Sequence, residues 1–229
     1  EGARAGIVLN PELAVPETGS DEDHHAARIV EMERNELFLD PLFGRPVPEA
    51  LLASGAGDIP ARPEDAEIIA APMDFIGFNY YTRSTVAAAP GKPGYKFIKK
   101  PGVPRTDIGW EVYPDGLRIV LDRLSEGWPL PPVYITENGA AYNDPGDPPD
   151  VDDTARQEYI ASHLAALDAA VRDGVDVRGW FCWSLMDNFE WAEGYSQRFG
   201  IVRVDYETQQ RTPRGSARML QRFLAAERV

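Results

Sequence analysis

A short β-branched and aromatic run, Val133-Tyr-Ile-Thr136, leads into Glu137 and breaks at Gly139. Such a run reads as a buried parallel strand, with Glu137 projecting from its C-terminal end. A carboxylate placed there can attack an anomeric carbon, provided donors and nearby positive charge keep it ionised against desolvation. That chemistry needs a second carboxyl group to protonate the departing oxygen, and retaining displacements hold the two about 5–5.5 Å apart. Two further segments carry groups suited to the same task. Phe78-Asn-Tyr-Tyr81 closes another strand candidate, and alternation sets Asn79 and Tyr81 on one face with Tyr80 turned to the core. Trp183 ends a third strand candidate, and Glu190 follows between Phe189 and Trp191, an unusual setting for a solvated loop charge.

These groups need a scaffold. Four apolar strand candidates stand out, Gly6–Asn10, Asp74–Tyr80, Val133–Thr136 and Gly179–Leu185. Helical patterns separate them. Asp21 to Leu39 is charged and helix-favouring and stops at Asp40-Pro41. Pro114 to Glu126 places Leu117, Val120, Leu121 and Leu124 at helical spacing, and Gly127 ends it. Thr154 to Asp173 carries Ile160, Leu164, Leu167 and Val171 on one stripe, with Gly174 as its cap. Thr212-Pro213 reads as an N-cap with proline at the first helical position, leading into Met219, Leu220, Phe223 and Leu224. Phe199–Tyr206 with Arg211 suggests a hairpin turning at Glu207–Gln210. Strands alternating with helices imply parallel βαβ units in one domain, but only four of the eight that a closed (β/α)8 barrel needs. The proline-containing stretches Ala87–Gly109 and Tyr142–Val151 follow strands. They read either as active-site loops or as plain surface connections.

Composition narrows the function classes. With 229 residues, 43% hydrophobic and 10% aromatic, the chain can build a substantial core. A net charge of −14 argues against nucleic acid or an anionic membrane as partner. No stretch is long and apolar enough to span a bilayer, and Glu1-Gly-Ala-Arg-Ala-Gly does not read as a signal peptide. Cys182, the single cysteine, lies in a core-like strand and reads as an inert buried thiol. His24, His25 and His163 form no ligand pattern, and neither a metal constellation nor a dinucleotide fingerprint is present, so no cofactor is expected. Arginine outnumbers lysine and alanine and proline abound, a bias that suggests a bacterial, cytoplasmic parent protein.

Ile135-Thr-Glu-Asn-Gly139, Phe78-Asn-Tyr-Tyr81, Trp183-Ser-Leu-Met-Asp-Asn-Phe-Glu-Trp191 and Phe199-Gly-Ile-Val-Arg-Val-Asp-Tyr206 with Arg211-Thr-Pro213 together resemble the signature segments of family 1 glycoside hydrolases, the retaining β-glucosidase family. Gly6-Ile-Val-Leu-Asn10 and Phe38-Leu-Asp-Pro-Leu-Phe43 fit the same pattern, so the resemblance covers nearly the whole chain. It implies that Glu137 is the nucleophile, that Tyr81 orients it, and that Asn79 belongs to the active site. It further implies that Trp183, Glu190 and Trp191 form the sugar-binding floor. Phe199 is open to two readings, a wall of that pocket or plain packing. Trp110 and Tyr113 fit the pattern as structural residues.

The sequence departs from the family at one decisive point. The family's acid/base glutamate lies in a Thr-x-Asn-Glu-Pro segment at the end of the fourth barrel strand, and no such segment occurs here. What is present corresponds to strands five to eight, the C-terminal half of a (β/α)8 TIM barrel. The resemblance therefore implies hydrolysis of β-D-glucosides with retention once an N-terminal half-barrel completes the site, with the chain by itself expected to be inactive. The alternative is a non-catalytic half-barrel that binds sugar or pairs with a second copy through its two open sheet edges.

Overall fold

Parallel pairing in a single small sheet brings the chemistry-bearing strand ends together. The computed structural model describes residues 2–54, 62, 64–143 and 153–226. In chain order it contains β1 (Gly6–Leu9), β2 (Ala14–Pro16), α1 (Asp21–Glu31), a π-helical turn (Met32–Glu36), α2 (Leu37–Leu42), α3 (Glu49–Ser54) and α4 (Asp65–Ile69). Then come β3 (Phe75–Asn79), β4 (Ser84–Ala88), β5 (Tyr95–Ile98), α5 (Asp115–Gly127), β6 (Val133–Asn138) and α6 (Thr154–Arg172). The last are β7 (Val177–Cys182), a 3₁₀ turn (Trp191–Glu193), β8 (Val202–Val204), β9 (Arg211–Pro213) and α7 (Gly215–Ala226). The main sheet has the order β1-β3-β6-β7, every pair parallel. That is the expected (βα)4 half-barrel, with strands close to the expected ranges.

Alternation along β3 and β6 explains where the core sits. Ile76, Phe78 and Tyr80, with Val133 and Ile135, point to one side, where they meet Leu117, Val120, Leu121 and Leu124 of α5 and Leu167 and Ala170 of α6. The Tyr80 hydroxyl donates to the Tyr113 carbonyl at 2.7 Å, satisfying its only polar group. The opposite face carries Phe75 and Tyr134, packed edge to face at 5.5 Å, and beyond them Asn79 and Thr136.

Four sequence expectations are corrected. The helix expected to stop before Asp40-Pro41 continues to Leu42, with Pro41 inside it. Proline there forgoes only one hydrogen bond, and Phe43 closes the end by donating to the Leu39 and Asp40 carbonyls. Thr212-Pro213 does not cap a helix. It forms β9, pairing antiparallel with β8, and α7 starts at Gly215. A hairpin edge tolerates a proline's missing donor as well as a first helical turn does. The stretch Ala87–Gly109 is not all loop. It holds the end of β4 and all of β5, which form a second sheet with β2 in the order β2-β4-β5. The fourth correction concerns β7, which starts at Val177 and ends at Cys182. Of the other long loop, 144–151 lies outside the described residues.

The hairpin is pinned from beneath by Asp187. This buried carboxylate accepts from Arg214 Nη1 and Nη2, both at 3.0 Å, and from Arg198 Nη1 at 2.7 Å. The backbone N–H groups of Gly200 and Val204 also donate to it, at 3.0 and 3.2 Å. Burial alone would raise its pKa, but the two arginines and the amide donors hold it below the usual carboxylate range. Removing one partner leaves a buried guanidinium without its counter-charge. Asp187→Ala is therefore expected to destabilise the chain by about 3–5 kcal/mol. Urea denaturation followed by tryptophan fluorescence checks it, and a loss below about 1 kcal/mol would refute this account of the hairpin.

Candidate active site

Simple alternation from Val133 would put Glu137 on the same side as Val133 and Ile135, against the helices. It does not end there. The register of β6 shifts relative to β3 between Phe78 and Asn79, and relative to β7 between Ile135 and Asn138. Such a bulge inserts one residue and re-aims those that follow. Asn138 therefore takes the helix-facing position, fully buried, and Glu137 turns to the opposite face beside Asn79, its register partner. Gly139 follows because a side chain there would overlap the Trp183 carbonyl.

On that face the Tyr81 hydroxyl donates to Glu137 Oε2 at 2.6 Å. Burial first, then the hydrogen bond and the charges of Glu137 and Glu190, raise the Tyr81 pKa far above that of a free phenol. Tyr81 thus remains a proton donor to the carboxylate over the whole working range of pH. Asn79 Oδ1 accepts from Thr136 Oγ1 at 2.7 Å, which fixes the amide between the two strand ends.

The helix-facing side locks the same strand ends. Asn138 Nδ2 donates to the Tyr80 carbonyl at 2.8 Å and to the Tyr159 hydroxyl at 3.3 Å, while its Oδ1 accepts from Trp180 Nε1 at 3.2 Å. The Tyr159 hydroxyl in turn donates to the Tyr81 carbonyl at 2.8 Å. One buried amide and one phenol from α6 thereby fix the backbones on either side of the Tyr81–Glu137 pair.

Trp183 and Glu190 approach the pair from the loop after β7. Trp183 N–H donates to the Asn138 carbonyl at 2.9 Å, and its side chain lies close enough to Glu190 to act on that carboxyl's pKa. Burial raises the Glu190 pKa, the Trp183 donor opposes the rise, and the charges of Glu137 and Glu193 add to it. Glu137, Tyr81, Trp183 and Glu190 therefore converge. Trp191, next to Glu190 in the chain, is 81% exposed on the 3₁₀ turn at a φ of 42°. Phe199 is buried, edge-on to Tyr81 at 6.0 Å and 5.8 Å from Trp110, so its ring backs the tyrosine. Cys182 has its thiol pushed up to about 12 by burial, as an inert core thiol should. Among the described residues no cluster of histidine, cysteine or acidic side chains could hold a metal ion.

Sequence reasoning missed the groove that runs outward from Asn79 and Tyr81. Its volume is about 480 Å³, and Glu12, Arg83, Phe97, Lys99, Arg105 and Trp110 line it. Trp110, expected to be structural, packs on Tyr81 at 5.1 Å and faces this space as well. Tyr113 is structural, lying 3.7 Å beneath the Arg83 guanidinium. The segment Tyr95–Lys99 gave no signal because four residues of strand between Gly/Pro turns carry too short a period to register.

His163 supports the lock from behind. It is fully buried, its ring stacked on Tyr159 at 3.8 Å. Its Nδ1–H donates to the Tyr159 carbonyl at 2.7 Å, while Nε2 has no partner among the described residues. Burial, only partly offset by that bond, lowers its pKa from 6.5 to about 4. As pH falls, the unfolded chain takes up this proton first, so stability is lost between about 6.5 and 4. His163→Phe should show a smaller loss of denaturation midpoint between pH 7 and pH 4.5 than the parent chain. An equal loss in both would mean that His163 does not carry this acid sensitivity.

The model of glycosyl hydrolase family 1 matches residues 1–229. A β-glucosidase of Agrobacterium sp. is 43% identical over 218 residues, covering 93% of this chain and 48% of that protein. An enzyme of Alicyclobacillus herbarius, termed AHE, superposes with a TM-score of 0.91 at 41% identity, over 97% of this chain and 51% of that one. The family 1 β-glucosidase of Thermotoga maritima in complex with isofagomine lactam gives 0.90 at 38%, over 96% and 50%. The chain thus spans about half the length of the relatives it matches. With the match running end to end and the four parallel strands superposing on half of such barrels, the chain belongs to glycosyl hydrolase family 1 and folds as a half of its (β/α)8 barrel.

Proposed function

We propose that this chain supplies the nucleophile side of a retaining β-glucosidase that a complementary N-terminal half-barrel completes. The observation that carries this is the 2.6 Å bond from Tyr81 to Glu137 Oε2, beside the Trp183–Glu190 pair. In this reading Oε1, the oxygen Tyr81 does not hold, attacks the anomeric carbon of a terminal β-D-glucoside. The bond to the aglycone oxygen breaks as an acid from the other half protonates it, leaving a glycosyl ester on Glu137. The same group, now a base, takes a proton from water, which opens the ester with net retention. Trp183 offers its ring face to the C–H side of the sugar, Glu190 accepts from two hydroxyls, and the Trp191 indole N–H donates to another. Asn79 contacts the sugar beside the nucleophile, and Phe199 shapes the pocket by fixing Tyr81.

Exposed apolar residues at both edges of the sheet support a partner. Ile7 and Val8 on β1, Phe181 on β7, and Phe223 and Leu224 on α7 are all open to solvent. Exposed apolar side chains beside unpaired strand edges are groups that further strands would cover. The same edges favour a second reading, a half-barrel that binds sugar and pairs with its own copy.

Hydrolysis of p-nitrophenyl β-D-glucoside by the chain alone and with a family N-terminal half separates the two. The expected result is turnover in the mixture only, abolished by Glu137→Ala. Tyr81→Phe should lower kcat by about 10²-fold, the typical loss for one preorganised donor. A stable homodimer whose sugar binding survives Glu137→Gln, with no turnover in any mixture, would establish the second reading.

A further inference from the structure

Of the six asparagines in the chain, Asn138 is the one followed by glycine. Asn10, Asn35, Asn79, Asn143 and Asn188 precede proline, glutamate, tyrosine, aspartate and phenylalanine. An asparagine before glycine is open to attack by its own backbone, because the next residue has no side chain to shield its nitrogen. Two separate constraints of the tertiary structure force this pairing directly after Glu137. Position 138 needs an amide, which donates to the Tyr80 carbonyl and the Tyr159 hydroxyl while accepting from Trp180 Nε1. Position 139 needs glycine, since a Cβ there would overlap the Trp183 carbonyl. The labile dipeptide is therefore built into the fold.

The same fold holds the reaction off. Asn138 ends β6, which lies between β3 and β7, and it has no exposed surface. Its carbonyl accepts from the Trp183 N–H at 2.9 Å, and Ala140 and Ala141, beyond the glycine, are buried as well. For the Gly139 nitrogen to reach Asn138 Cγ, the extended backbone must turn and the bonds of the side-chain amide must break. Central strands open far less often than loops or chain ends.

We propose that Asn138 is a self-modification site, sealed in the folded chain and unmasked when β6 opens, whose reaction makes unfolding irreversible. The Gly139 backbone nitrogen loses its proton to hydroxide and attacks Asn138 Cγ. The Cγ–Nδ2 bond breaks, and that nitrogen takes a proton from water and leaves as ammonia, closing a succinimide. Water then opens the ring at either carbonyl, leaving aspartate or isoaspartate. Aspartate offers no donor to the Tyr80 carbonyl and sets a charge where burial is complete. Isoaspartate carries the main chain through its former side chain, so an extra backbone atom enters beside the Trp183 carbonyl. Either product removes the tie behind the Tyr81–Glu137 pair, and a chain modified while open does not return to its native state. The inference is independent of the proposed glucosidase reading.

Peptide mapping by mass spectrometry tests it. The full chain is held at mildly alkaline pH in buffer and in denaturing guanidinium chloride, and denatured samples are diluted into buffer at intervals. Conversion of Asn138 to the acid should run at least about 10-fold faster in denaturant than in buffer, because in buffer the strand must first open. The other asparagines should lag behind it in denaturant. Recovery of native tryptophan fluorescence on dilution should fall in proportion to the intact Asn138 that remains, and Asn138→Asp made directly should recover no better than fully converted chain. Absence of conversion in denaturant, equal conversion in both solutions, or earlier conversion of another asparagine would overturn the proposal. So would lost recovery while Asn138 is intact, or full recovery of converted chain or of Asn138→Asp.

Discussion

The site depends on a one-residue slip at the C-terminal end of β6. A strand of period two commits its side chains to alternate faces, and β6 spends Val133 and Ile135 on the core. Continued without interruption, that phase would bury Glu137 against the helices, where an unpaired carboxylate is costly. The shift in register exchanges Glu137 for Asn138 on the buried side. An amide suits that place because it can donate to the Tyr80 carbonyl and Tyr159 while accepting from Trp180. A carboxylate could not donate at all.

Each tie that follows serves the same geometry. Tyr159, from the middle of α6, reaches the Tyr81 carbonyl, and Tyr81 reaches Glu137 from the other face. A helix packed outside the sheet thus helps to define the position of a carboxylate inside it. Such networks are strong when fully satisfied and weak when one member is lost. His163, with one ring nitrogen unpartnered beneath Tyr159, is the place where this network meets its limit. The hairpin β8–β9 obeys the same logic at larger scale, since two arginines and two amides converge on Asp187 and hold the loop that carries Glu190 and Trp191.

The groove beside the Tyr81–Glu137 pair draws its lining from two sheets, Asn79 from the half-barrel and Thr85, Phe97 and Ile98 from the β2-β4-β5 sheet. Tyr81, which also lines the groove, donates its hydroxyl proton to Glu137 Oε2 at 2.6 Å. Lys99, just after β5, and Arg105, which donates to the Gly109 and Lys100 carbonyls, line it as well. Arg83, directly before β4, pairs in the same lining with Glu111 at 2.8 Å.

Residue type and order by themselves determined the parallel (βα)4 plan, the core stripe of α5 and the turning of Tyr80 to the core, while the resemblance of short segments to family 1 made Tyr81, Glu137, Trp183 and Glu190 site candidates. These features follow from local periodicity and from short segments that each carry their own chemistry. Tertiary structure alone decided the rest. The bulge in β6 is set by what β3 and β7 offer for pairing, and no periodicity within Val133–Asn138 announces it. Pro41 within a helix and Pro213 within a strand both contradict local preference because pairing and packing outweigh one missing hydrogen bond. The β2-β4-β5 sheet joins β2 to the distant antiparallel pair β4–β5, all strands of three to five residues. Only their assembly gives them a face, and with it the groove that sets Lys99 and Arg105 beyond Tyr81.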